Sequence, residues 1–160
     1  MNFNCCDLCD ANEDKMQSGE LAILPPVFSC YGKNIQFAGP AKTVKVFEDN
    51  PLVRKILETP GGGQVLVIDA GGSTRCALVG GNLGDLAQKN GWAGIVIDGC
   101  IRDSIEVNQC NIGVRALGTH PRRSARTGEG QQDGVVTIAG VMVRPGDWIY
   151  ADADGLASIQ

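Results

Sequence analysis

The sequence predicts an α/β domain: a mixed sheet, or a barrel-like β/β/α layout, around a central βαβ unit. Two segments share one pattern, Gln64-Val65-Leu66-Val67-Ile68-Asp69 before Ala70-Gly71-Gly72, and Gly94-Ile95-Val96-Ile97-Asp98-Gly99. An apolar run ended by aspartate and glycine reads as a strand buried on both faces. A glycine-rich break and an amphipathic stretch lie between them, which makes a right-handed βαβ connection. After residue 110 come short β-prone runs separated by glycine, proline and aspartate, an antiparallel pattern that makes the sheet mixed.

From the N-terminus, Asp7 to Gln17 reads as a peripheral helix with Leu8 and Cys9 on its apolar side and Gly19 as its stop. Thr43 to Phe47 alternates as a half-buried strand does. Asn50-Pro51 opens a helix with a capping side chain and proline in the first turn, and Leu52, Ile56 and Leu57 form its buried stripe. Arg75 to Val79 reads as a turn or two of helix. Gly80-Gly81 interrupts it, and helix resumes from Leu83 to Asn90 with Gly91 as its stop. The later strands are Gly113 to Leu117, Val135 to Ala139, Val141 to Val143 and Trp148 to Tyr150.

The 160 residues suit one domain spanning 1–160, and 43% hydrophobic with 20% charged residues matches a globular chain that folds without a staple. Twenty-two glycines imply many tight turns. A net charge of −4 gives no basic footprint, so no direct nucleic-acid partner is expected, and Arg115, Arg122, Arg123 and Arg126 read as a solvated loop cluster. The N-terminal residues lack a signal pattern and no stretch is long and apolar enough for a membrane span, so the expectation is a cytoplasmic protein without membrane contact. Seven cysteines, several inside apolar runs, read as reduced thiols. Cys5, Cys6 and Cys9 lack the paired second knuckle of a structural zinc site.

Two features can carry chemistry. Gly80-Gly81-Asn82-Leu83 sits where the unpaired N–H groups of a helix start would cradle a carboxylate or phosphate, although such a Gly-Gly is as often only a tight turn. Arg102-Asp103 follows the strand that ends at Asp98-Gly99, where catalytic side chains of α/β folds gather. If the two buried strands are parallel, their exits at Asp69 to Gly72 and Asp98 to Asp103 are neighbours. Asp103-Ser104-Ile105-Glu106 also fits a capping box, and on sequence physics alone the cap is the favoured role of Asp103. His120, beside Pro121 in a loop, receives no role. Neither a Gly-x-Ser-x-Gly elbow nor a phosphate-loop motif occurs.

Val46 to Asn50 (Val-Phe-Glu-Asp-Asn), Val65 to Ser73, Gly91 to Asp103 and Tyr150 to Gly155 together resemble the RraA-like family nearly end to end. That family includes regulators of ribonuclease E activity and metal-dependent 4-hydroxy-4-methyl-2-oxoglutarate aldolases that also decarboxylate oxaloacetate. The resemblance implies a class II aldolase, a carbon–carbon lyase acting on a small 2-oxo acid. Gly80, Gly81, Asn82 and Leu83 would hold the substrate through backbone amides, Arg102 would contact it as the catalytic cation, and Asp103 would anchor Mg2+ or Mn2+. It also implies a homotrimer. Gly81 departs from the pattern, standing where the aldolases carry an aspartate. The alternative is a non-enzymatic inhibitor binding ribonuclease E, which would need neither metal nor Arg102.

Overall fold

A computed structural model describes residues 2–160. The chain starts with helices α1 (Cys5–Ala11) and α2 (Glu13–Ser18), then strands β1 (Leu21–Ile23), β2 (Ser29–Tyr31) and β3 (Phe37–Lys45). Helix α3 (Pro51–Leu57) leads to β4 (Val65–Asp69), β5 (Ala77–Val79), α4 (Gly81–Lys89), β6 (Gly94–Ile97) and β7 (Cys100–Ile101). Helix α5 (Ser104–Gln109) precedes β8 (Gly113–Ala116) and β9 (Gly118–Thr119). The chain continues through β10 (Gln131–Gln132), β11 (Val136–Ile138), β12 (Val141–Val143), β13 (Trp148–Ala151) and β14 (Leu156–Ile159).

The main sheet runs β1-β14-β13-β3-β4-β6-β8-β2, with β10 also pairing β3. Its centre, β3, β4, β6 and β8, is parallel, and both flanks are antiparallel, so the sheet is mixed as predicted. β4, α4 and β6 form the expected βαβ unit. A second, three-stranded sheet, β5-β7-β9, is wholly parallel, and β11-β12 is a separate hairpin.

The apolar run of β4 has a direct cause. Leu66 and Ile68 pack in one core with Val53, Ile56, Leu57, Leu83 and Ala87 of the helices. Val65 and Val67 point the other way, into a second core with Ile138, Val143 and Ile149. A strand covered on both sides has no polar face to show. Burying each such side chain contributes about 1.5–3 kcal/mol. The ring of Phe37 closes the second core at the start of β6 and β8, where a Cβ on Gly94 would lie 2.3 Å from Phe37 Cδ2 and one on Gly113 2.0 Å from Cδ1. Only glycine admits that approach.

Several boundaries differ from the sequence expectation. The first helix divides at Asn12 into α1 and α2, with Cys5, not Leu8 or Cys9, as its buried residue; Gly19 does end it in a left-handed conformation, φ +83°. β3 starts at Phe37 and ends at Lys45, leaving Phe47 exposed. Pro51 does open α3, but Asn50 makes no cap: its amide donates to the Leu78 carbonyl at 3.0 Å. The buried stripe of α3 is Val53, Ile56 and Leu57, and Leu52 is only partly covered. Ala77 to Val79 is strand, because β7 alongside supplies the hydrogen bonds that a short helix would have had to make alone. Ala139 adopts φ +48° in the β11–β12 turn, so that strand ends at Ile138.

Candidate functional site

The second sheet creates the site. Its three strands are parallel, so their C-terminal ends emerge on one edge. β5 runs into Gly80 and α4, β7 into Arg102-Asp103 and α5, and β9 into His120 and the Pro121-Arg122-Arg123 turn. Cross-links fix the exits in register: Arg102 N–H donates to the Val79 carbonyl at 2.8 Å and His120 N–H to the Ile101 carbonyl at 2.9 Å. The N-terminus of α3, carrying Asn50, Pro51 and Arg54, closes the side. The result is an open cavity of about 880 Å³.

Gly80, Asn82, Leu83, Arg102 and Asp103 line this cavity, and Gly81 lines the adjoining one with Asp103. The sequence therefore identifies residues that the fold brings together. Helix α4 begins two residues earlier than the predicted Leu83, with Gly80 as its N-cap, so its first amide, that of Gly81, meets Asp103. Gly80 lies close to both side chains: a Cβ there would be 2.9 Å from Asp103 Oδ2 and 3.3 Å from Arg102 Cγ.

The expected capping box is absent. Asp103 sits at the N-cap of α5 in a left-handed conformation, φ +51°, and makes no side-chain cap bond. Its Oδ2 accepts instead from Gly81 N–H at 3.1 Å, joining the starts of α4 and α5. The left-handed backbone turns the carboxylate away from its own helix, which is why spacing alone misassigned it. Arg102 Nε stands 3.8 Å from Asp103 Oδ1, a loose pair with both side chains more than a third exposed, so both charges remain available to a ligand.

The third exit adds what the sequence reading treated as solvated surface. Arg122, Arg123 and Arg126 line the cavity together with Arg54 and Arg102, so five arginines and one acidic residue, Asp103, share its lining. The spacing Arg-Arg-x-x-Arg after Pro121 carries this signal, which a net charge averaged over the whole chain hides. Arg115 does not belong to this cluster. It is buried in β8, donates to the Ile35 and Asp152 carbonyls and lies over the Phe37 ring at 5.2 Å.

The predicted exit at Asp69 to Gly72 does not reach the cavity. Asp69 and Asp98 are both buried where β4 and β6 end and hold backbone: Asp98 accepts from Ala70 N–H, and Asp69 from Gly71 and Thr137 N–H groups. Burial pushes the Asp98 carboxyl up to about 6; the Ala70 amide opposes that rise and the Asp69 charge adds to it. Cys76, Cys100 and Cys110 are buried free thiols, each pushed upward in pKa chiefly by burial.

Among the described residues no three His, Cys, Asp or Glu side chains converge on a metal position. A cation at Asp103 would take one protein carboxylate and fill its remaining positions with water and ligand oxygens. That donor set fits magnesium or manganese, which keep several waters, and does not fit structural zinc. No helix among the described residues is long and apolar enough to cross a membrane.

The model of a family described as RraA-like, Aldolase/RraA, matches residues 5–157. A protein of Cupriavidus necator named "Putative 4-hydroxy-4-methyl-2-oxoglutarate aldolase" is 61% identical over 94% of this chain and 91% of its own length. A protein of the same name from Burkholderia multivorans is 59% identical over 98% and 95%. Among solved structures, the S-adenosylmethionine: 2-dimethylmenaquinone methyltransferase of Geobacillus kaustophilus superposes with TM-score 0.92 at 46% identity, covering 98% of this chain and 94% of that one. The RNA-processing inhibitor RraA of Thermus thermophilis superposes with TM-score 0.92 at 45% identity, covering 99% and 93%.

Proposed function

The chain belongs to the RraA-like family, and on that basis we propose that it is a divalent-metal-dependent class II aldolase. It cleaves 4-hydroxy-4-methyl-2-oxoglutarate to two molecules of pyruvate and decarboxylates oxaloacetate through the same pyruvate enolate. The observation that carries this reading is the posture of Asp103. Its carboxylate leaves its own helix uncapped, meets the Gly81 amide at 3.1 Å and stands beside Arg102 at the rim of a cationic cavity.

In the proposed mechanism the first-turn amides of α4 and the guanidinium groups bind the substrate carboxylates and fix its orientation. Asp103 would hold the cation, whose chemistry there would be Lewis-acid polarisation of the 2-oxo group. The C3–C4 bond then breaks: the C4 hydroxyl loses its proton and becomes the carbonyl of one pyruvate, and the bonding pair passes to C3 of the other fragment. Negative charge gathers on the enolate oxygen, where Arg102 stabilises it more than it stabilises the neutral ketone. Protonation at C3 releases the second pyruvate. In oxaloacetate the departing group is carbon dioxide, and the same enolate results.

The cavity also bears on the other names within the family. S-adenosylmethionine carries a cationic sulfonium, which a cavity lined by five arginines and one aspartate disfavours. The aldolase name belongs to relatives near 60% identity, the inhibitor name to a structure at 45%. The test is pyruvate release from each substrate with magnesium, repeated with EDTA. Turnover that EDTA abolishes supports the proposal, and no turnover with any divalent cation removes it.

A further inference from the structure

Three of the five cavity arginines sit on a single short segment, and that segment is held rigidly. Ala77 N–H donates to the Arg122 carbonyl at 2.8 Å and Ala125 N–H to the Glu48 carbonyl at 2.9 Å. Both oxygens of the buried Asp49 carboxylate accept from the next amides, Thr127 at 2.6 Å and Gly128 at 2.8 Å. Backbone anchoring on both sides fixes the main-chain positions from which Arg122, Arg123 and Arg126 extend. Their guanidinium groups have no carboxylate within ion-pair distance and no hydrogen-bond partner among the described residues, whereas Arg54 is paired with Glu58 at 3.0 Å. Like charges concentrated on one wall of a cavity and left unneutralised by the protein repel one another until an anion arrives.

We infer that the Arg122–Arg126 segment is a specificity wall that binds the second, distal carboxylate of a 2-oxo dicarboxylate. This inference rests on the proposed aldolase reading of Arg102 and Asp103. The chemistry divides the substrate between two walls. The 2-oxo acid end needs a cation and the α4 amides, and these lie at Gly80 to Leu83 and Asp103. A carboxylate beyond C3 needs positive charge elsewhere in the same cavity, and the Arg122–Arg126 segment, on a different strand exit from Asp103, supplies it. The wall therefore selects dicarboxylates over monocarboxylate aldols such as 4-hydroxy-4-methyl-2-oxopentanoate, which carries no distal charge. It also separates the two reactions. In aldol cleavage the distal carboxylate keeps its charge throughout and stays bound through the transition state. In oxaloacetate decarboxylation that carboxylate is the group that leaves, and its charge passes to the enolate, so the wall holds the ground state at least as tightly as the transition state. Removing wall charge then costs aldol kcat/KM more than it costs decarboxylation.

The experiment is calorimetric titration of the magnesium-loaded protein with pyruvate and with 2-oxoglutarate, for the wild type and for Arg123→Gln/Arg126→Gln. Thermal melting confirms that these exposed substitutions fold, and Arg123→Lys/Arg126→Lys serves as the charge-retaining control. We expect 2-oxoglutarate binding to weaken about tenfold or more in the glutamine variant and to recover largely in the lysine variant, from the worth of hydrogen bonds to charged groups. The ratio of the two dissociation constants should shift accordingly, because pyruvate reaches only the other wall. Equal weakening for both acids, or no weakening for either, with a wild type that binds both, would overturn the wall and leave the aldolase reading standing. A wild type that binds neither acid would overturn the aldolase reading and the wall with it.

Discussion

Asp103 reaches across to the amide of Gly81 at 3.1 Å in place of capping the helix it begins, so one carboxylate ties the starts of α4 and α5 together. The pair links the exit of β5 to the exit of β7, and the consequences of that link are measurable.

Gly80→Ala tests the closeness of the two exits. The new methyl group would fall 2.9 Å from Asp103 Oδ2, the end of an exposed side chain that can swing aside at little cost in stability. Swinging aside moves the carboxylate from its working position, and a displacement near 1 Å can cost about a hundredfold in rate. The expected result is a near-normal melting temperature with kcat reduced by about one to two orders of magnitude.

Arg102→Ala separates charge from fold. The loose pair with Asp103 is worth about 0–1 kcal/mol at this exposure. Thermal melting should barely change, while steady-state pyruvate release should fall about 100- to 1,000-fold through loss of enolate stabilisation.

Gly81→Asp restores the carboxylate that the aldolase pattern carries there. Its Cβ would stand 3.0 Å from Glu106 Cβ, so α5 must shift by a few tenths of an ångström. Two carboxylates side by side repel without a cation and share one when it is present. The variant should melt lower than wild type in EDTA and regain most of that loss in magnesium, with half-maximal activity at a lower magnesium concentration. Gly81→Ala, which has the crowding without the charge, should show the loss without the regain.

Asp98 sets a pH dependence of stability. Its folded pKa of about 6 exceeds the ordinary carboxylate value, so between about pH 4 and pH 6 the folded state binds more protons than the unfolded chain. Stability from this group is therefore fully present at the acid end and declines as pH rises through about 6, by up to about 3 kcal/mol. Asp98→Asn keeps an acceptor for the Ala70 amide and removes the titration. Urea unfolding should find it more stable than wild type at pH 8 and little different at pH 4.

The legible parts of this protein were those where one physical requirement dominates. β4 and β6 announce themselves because burial on both faces permits only apolar residues, and Arg102-Asp103 stands out because it follows such a strand. The illegible parts depended on partners distant in sequence. Ala77 to Val79 is strand only because Cys100 and Ile101 lie beside it. Phe37 to Pro40 is strand only because β13, more than a hundred residues later, pairs with it. Arg115 and Arg122 belong to one stretch of sequence, yet one packs on Phe37 in the core and the other lines the cavity. The role of Asp103 is not legible from spacing, which defines a capping box, because the cap itself is decided by a backbone dihedral.

The most direct test of the account is pyruvate release from 4-hydroxy-4-methyl-2-oxoglutarate by wild type and Asp103→Ala, each saturated with magnesium and each melted in parallel. The account predicts turnover by the wild type and loss of at least about a hundredfold in the variant, since even indirect metal-shell partners cost 10–100-fold, with a cost in stability of no more than about 1.5 kcal/mol from the single exposed hydrogen bond to Gly81. Wild-type turnover that survives in Asp103→Ala would contradict it.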